Sequence, residues 1–287
     1  MIAPAVWPKR FEFGYLNPLQ DNFLYQNFVG DFDNMAVHMS IKGRYPGLFG
    51  FWFTFFLDES DFSYGLKSLF ELNRQMFAFQ AGLQGPIYGL PFASYTLSYT
   101  KIEPYTYTHT RVFTPWHSGD NPMETAYVNN GVGLGYYLPP NSDEFKIRVD
   151  VRPRFRSAGH LQYQLIRHGA DFGPHQVDGS SLVSELDPSG RSEKASLKKS
   201  FLNDGAYQWM HIIKIGGEHK FRSLPLTIFG EAGIAYSYFT DVSDAKYAKY
   251  APAPEDPGRE PQPWVPAAGE YLKSTAYILT LGFRVFR

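Results

Sequence analysis

The 287-residue sequence contains no cysteine, which excludes disulfides, thiolate metal sites and cysteine nucleophiles together. Neither sign of charge is in excess. The 27 Lys and Arg face 28 Asp and Glu, for a formal net charge of -1, so the broad basic field of a nucleic-acid binder is missing. No stretch has the length of a membrane-spanning helix. The longest apolar run, residues 48–57, is about half of what a helix needs to span and about what a tilted transmembrane strand needs. Residues 1–8 lack the basic start and apolar core of a secretory signal, so the chain is expected to be mature, truncated or begun at an internal Met. No Gly-x-Ser-x-Gly elbow and no His-Glu-x-x-His pair occurs, and the 8 His are scattered. These absences predict no catalytic residue, no metal site, no cofactor and no nucleic-acid partner.

Aromatic residues, by contrast, make up 17% of the chain, with 25 Phe and 20 Tyr, at a mean hydropathy of only -0.31. That balance is expected when half of every strand faces lipid. The segment 142–168 shows the grammar most clearly. Phe145, Ile147, Val149 and Val151 alternate with Lys146, Arg148, Asp150 and Arg152, a period of two that marks a β-strand with two unlike faces. After a tight turn read at 156–159, Leu161, Tyr163 and Leu165 alternate with Gln162 and Gln164. A soluble sandwich and a membrane barrel both accommodate such a hairpin.

Further period-two segments fall at 9–16, 33–44, 48–57, 75–84, 91–103, 207–221, 226–240 and 274–287. Between them, 58–74 places Leu66, Leu69, Phe70 and Leu72 at helical spacing, which predicts one short loop helix. With the hairpin this makes about ten antiparallel strands, up to twelve. Every second connection is a tight turn, and the others are long. Outer-membrane barrels sort their connections in this way, with short periplasmic turns and long extracellular loops; a soluble sandwich has no reason to. The expected fold is therefore an all-β, antiparallel transmembrane β-barrel forming a single domain over 1–287, with both termini periplasmic. The final strand also resembles the C-terminal barrel-insertion signal, although Arg287 follows Phe286 where that signal ends in Phe.

Few side chains stand out as chemistry. Gly131, Gly133 and Gly135 are followed by a strand and not a helix, so no helix N-terminus is there to hold a phosphate. Asp31 with Asp33, and Asp58 with Glu59 and Asp61, offer oxygen ligands to Ca²⁺ but read first as caps and solvated loop ends. If the aliphatic faces meet lipid, Lys146, Arg148, Arg152 and Arg154 line the lumen. Lys214, Lys220, Arg222 and Arg284 join them, gathered near the short-turn end. Such a lining would attract anionic solutes or sugar acids, or would pair internally. Trp116, Tyr136, Tyr137, Trp209 and Trp264 are candidates to stack on sugar rings, although aromatic interface girdles use the same residue types.

Several segments, in order, resemble the bacterial capsule-assembly (Wzi-type) outer-membrane barrel family. They are Gly30-Asp31-Phe32-Asp33-Asn34, Phe55-Phe56-Leu57-Asp58-Glu59, residues 73–82, residues 99–109, residues 133–144 running into the hairpin, and Ile166-Arg167-His168-Gly169. The resemblance implies a monomeric barrel, or part of an envelope assembly, that holds capsular polysaccharide at the cell surface as a lectin without catalysis. Family barrels have about eighteen strands, so this chain corresponds to the C-terminal part. The expected partners are lipid of the outer membrane of a diderm, Gram-negative bacterium, capsular or surface polysaccharide, and the barrel-insertion machinery. Two other readings stay open: a general or anion-preferring porin, and a barrel-embedded hydrolase acting on lipid or glycan.

Overall fold

The computed structural model describes residues 36–59, 69–70, 75–90, 92–107, 128–129, 132–133, 135–169, 201–202, 207–240 and 273–285. Its strands are β1 (Val37–Tyr45), β2 (Phe49–Glu59), β3 (Met76–Pro86), β4 (Ala93–Ile102), β5 (Val128–Asn129), β6 (Val132–Gly133), β7 (Ser142–Arg154), β8 (Ser157–His168), β9 (Tyr207–Lys220), β10 (Leu226–Thr240) and β11 (Lys273–Val285). Nine of them form one antiparallel meander in the order β1-β2-β3-β4-β7-β8-β9-β10-β11. The sheet is not closed: among the described residues β1 pairs only with β2, and β11 only with β10.

The period-two reading finds these nine strands to within a few residues at each end. The segment expected at 9–16 lies outside the described residues. β5 and β6 form a small separate ribbon that the sequence reading passed over inside a long connection. Of the short helix expected within 58–74, only a 3₁₀ fragment at Leu69 and Phe70 falls among the described residues, and Asp58 and Glu59 belong to β2. The β7–β8 turn is also displaced from its expected place. Arg154 pairs with Ser157, so the turn is Phe155-Arg156, and Ser157, Ala158 and Gly159 already belong to β8. Pro153 explains the shift: it has no N–H for the ladder, and the register slips between Val151 and Arg154.

Connections sort by end. Pro46 to Leu48, the Ile87–Phe92 bend, Phe155-Arg156 and the stretch 221–225 close one end in a few residues each; everything at the other end is long. The first of these turns needs Gly47, whose φ of 77° belongs to the left-handed region, where a Cβ is penalised.

Register separates the two faces of the sheet. One row runs Tyr95, Val149, Leu161, Ile215, Ala232, Leu279 across six strands; the next runs Thr96, Arg148, Gln162, Lys214, Gly233, Ile278. The apolar rows are the convex side. The polar rows are concave, because Gln84 of β3 and Arg284 of β11 line the same cavity. The sheet is therefore curled strongly about its polar face. Its buried apolar cluster sits inside the curl at the long-connection end, where Ala36, Ala78, Ile102 and Ile166 meet Tyr107 and Leu138.

Candidate functional site

Two connecting segments, 103–107 after β4 and 135–141 before β7, fold into the concave side and fill its long-connection end. Tyr107 and Leu138 bring apolar bulk against Ile102 and Ile166, with Phe56, Met210 and Ile212 packed around them. The backbone there is forced. Tyr105, Tyr107, Asn141 and Leu202 all have positive φ, between 53° and 72°, a conformation that costs about 1–3 kcal/mol per residue and survives only where surrounding contacts over-determine it. Those contacts are present. The Tyr107 amide donates to Asp58 Oδ2 at 2.7 Å, Thr106 Oγ1 to the Phe77 carbonyl at 3.1 Å, and the Leu202 amide to Asn141 Oδ1 at 3.1 Å. Asp58 is thus buried as an anchor for this loop. Among the described residues no group of His, Asp and Glu is placed to hold a metal.

Glu144 is the polar hinge of this cork. Fully buried at the start of β7, it accepts the Tyr136 hydroxyl at 2.7 Å and the Tyr137 hydroxyl, while Gln164 Nε2 and Lys146 Nζ donate from the concave face. A buried carboxylate persists only with partners of this kind. Burial first, and then the hydrogen bond to Glu144, hold the Tyr136 hydroxyl well above the ordinary tyrosine range. Burial does the same to Tyr107, partly offset by the Tyr136 amide that donates to its hydroxyl.

Below the cork the concave side opens into a polar cavity of about 750 Å³. Side chains of one strand, or of strands with at most one strand between them, pair along its wall. Arg148 holds Asp150 through two nitrogens at 2.8–3.0 Å, Glu231 lies between Lys214 Nζ and His160 Nε2 at 3.1 Å each, and Arg284 reaches Glu218 at 3.7 Å. Gly216 makes room for this arrangement, since a Cβ there would lie 2.5 Å from the His160 ring. A smaller pocket of about 180 Å³ continues toward the short-turn end past Arg152, Arg156 and Lys220.

The expected basic lining is thereby sorted. Lys146, Arg148, Lys214 and Arg284 lie on the concave face, and Arg152 and Lys220 at its short-turn mouth. Arg222 stands exposed in the β9–β10 turn, away from both pockets. Arg154 sits opposite Ser157 at the end of β7; its side chain, like Trp116 and Trp264, lies outside what the structure describes. Of the stacking candidates, Tyr136 and Tyr137 belong to the cork, their rings 4.7 Å apart. Trp209 does not face inward. It stands on the convex face of β9, clustered with His211 and Tyr238, with the Arg167 guanidinium 5.4 Å from its ring. Arg167 in turn holds Asp143 through Nε at 2.9 Å, and Tyr99 donates to the same carboxylate at 2.9 Å. This is an aromatic and ionic rim.

Sequence reasoning missed the inward Trp52, which lies flat over Gly82 and donates to Gln80 Oε1 at 3.2 Å. It also missed the roles of His160 and Glu144. Comparison with protein-family models, curated proteins and solved structures finds no match to the chain.

Proposed function

We propose that the chain is an outer-membrane β-barrel of a diderm bacterium that binds surface polysaccharide, without catalysis and without an open channel. The observation that carries this reading is the division of the concave side into an apolar cork at one end and a charged cavity at the other. A general porin needs a continuous water path, and the apolar cluster occupies the long-connection end of the concave side.

Membrane residence is supported by the convex face. From the Asp143–Arg167–Trp209–Tyr238 row down to the His219–Ile228–Phe283 row, no Asp, Glu, Lys or Arg projects from it among the described strands. That distance is ~33 Å of strand, which a tilt of about 40° shortens to ~25 Å, the height of a barrel's lipid-facing band. Closure is supported by strand direction. β1 and β11 both run from the long-connection end to the short-turn end, so an antiparallel ring needs one more strand of opposite direction between them. A strand at the period-two stretch expected from the sequence at 9–16, joined to β1 by a long connection, would have that direction. Ten strands would then be the count, an even number as such barrels have. The capsule-assembly resemblance supplies polysaccharide as the ligand class.

Three measurements test the reading. The detergent-folded chain should migrate faster before boiling than after; it should give no steady conductance in planar bilayers; and it should retain capsular polysaccharide on a column. An unshifted band would defeat the barrel, and open conductance would restore the porin reading. Because the chain has no cysteine, a series of cysteine pairs introduced between positions 9–16 and β11 would report closure by cross-linking.

A further inference from the structure

We infer that the cavity below the cork is an oxyanion-binding site for an acidic sugar chain; this rests on the polysaccharide reading for the ligand class, though not for the chemistry of the site. The charges around the cavity are not balanced. Each acid already has its base: Asp150 has Arg148, Glu231 has Lys214, and Glu218 has Arg284. Arg152 and Arg156 remain, both lining the narrower pocket, and among the described residues neither takes part in an ion pair. Guanidinium groups bind carboxylate and phosphate in a planar, two-pronged fashion, and two of them lining one narrow pocket favour a ligand carrying more than one oxyanion.

The remaining walls suit sugar hydroxyls. Gln84, Ser94 and Thr96 from β3 and β4 face the cavity and offer both donors and acceptors. At about 750 Å³ it falls within the ~300–1,000 Å³ typical of small-molecule sites.

The test uses the full chain folded in detergent and titrated calorimetrically with trigalacturonate, with a neutral trisaccharide of equal length, and with inorganic phosphate. Trigalacturonate should bind, at least tenfold more tightly than the neutral sugar, and should weaken as salt is raised. The double variant R152A/R156A should lose at least tenfold in affinity, and R152K/R156K should recover part of it. Phosphate that displaces trigalacturonate would identify a general oxyanion site open to phosphorylated sugars; phosphate that does not would narrow the ligand to carboxylated ones. No binding of either anion, equal binding of the neutral sugar, or an unaltered double variant would overturn the proposal. The boiling shift, measured on each sample, separates these results from a failure of the barrel itself.

Discussion

His160 and Glu231 stand 71 positions apart in the chain, yet their side chains meet at 3.1 Å on the concave face. The contact exists because β8 and β10 flank β9, and because β9 carries glycine at the position between them. A methyl group at Gly216 would lie 2.5 Å from the His160 ring and 2.9 Å from the Gly230 carbonyl. Gly216→Ala should therefore destabilise the fold by about 1–3 kcal/mol, as overpacking does. Gly159→Ala, whose Cβ would meet nothing nearer than 3.5 Å, should be tolerated. Urea midpoints of the two variants would decide it, and equal midpoints would contradict the packing described.

A lysine on the convex face distinguishes lipid from water as its surroundings. Leu279 is 72% exposed in the middle of β11. In water, Leu279→Lys would be neutral or helpful. In a bilayer, a lysine at mid-depth costs about 2–4 kcal/mol. Folding titrations into lipid vesicles should show that loss for Leu279→Lys, and little for Thr96→Lys on the concave face.

Glu144→Ala removes the acceptor shared by Tyr136, Tyr137, Gln164 and Lys146. Leaving buried polar groups unpaired costs about 1–3 kcal/mol each, so the cork should loosen. Single-channel recording should then show openings that the parent chain lacks. A silent, equally stable variant would mean that the cork does not depend on this carboxylate.

Tyr107 and Tyr136 predict an alkaline transition. Their hydroxyls are held above the ordinary tyrosine range, by burial foremost, so the folded chain binds these protons more tightly than the unfolded one. The associated stability is fully present below about pH 10 and is lost as pH rises beyond it. Absorbance at the tyrosinate band should show a fraction of tyrosines ionising only together with unfolding, and Tyr136→Phe should reduce that fraction.

The strands were legible in the sequence because alternation is a local signal. Ile147 and Arg148 announce two faces without reference to anything distant. The sorting of connections by length was legible for the same reason. The cork was not. Tyr107 and Leu138 look like ordinary loop residues until 103–107 and 135–141 are known to turn inward together. The pairing of Glu231 with His160 likewise depends on strand register, which no local pattern states. Trp52 was hidden by its neighbours: Phe51 and Phe53 make the run apolar on both faces, and period-two reading cannot then choose the inward side. For Trp209, on the convex face of β9, the sequence left two roles open, because the residue types that stack on sugars are also the ones that mark a membrane boundary.

The cork is assembled from the two ends of a single connection, residues just after β4 and just before β7. Tyr107 and Leu138 meet in its apolar cluster, so each end of the connection is held in place by the other as well as by the wall. A substitution at either residue should therefore loosen both ends, and the two losses should not simply add.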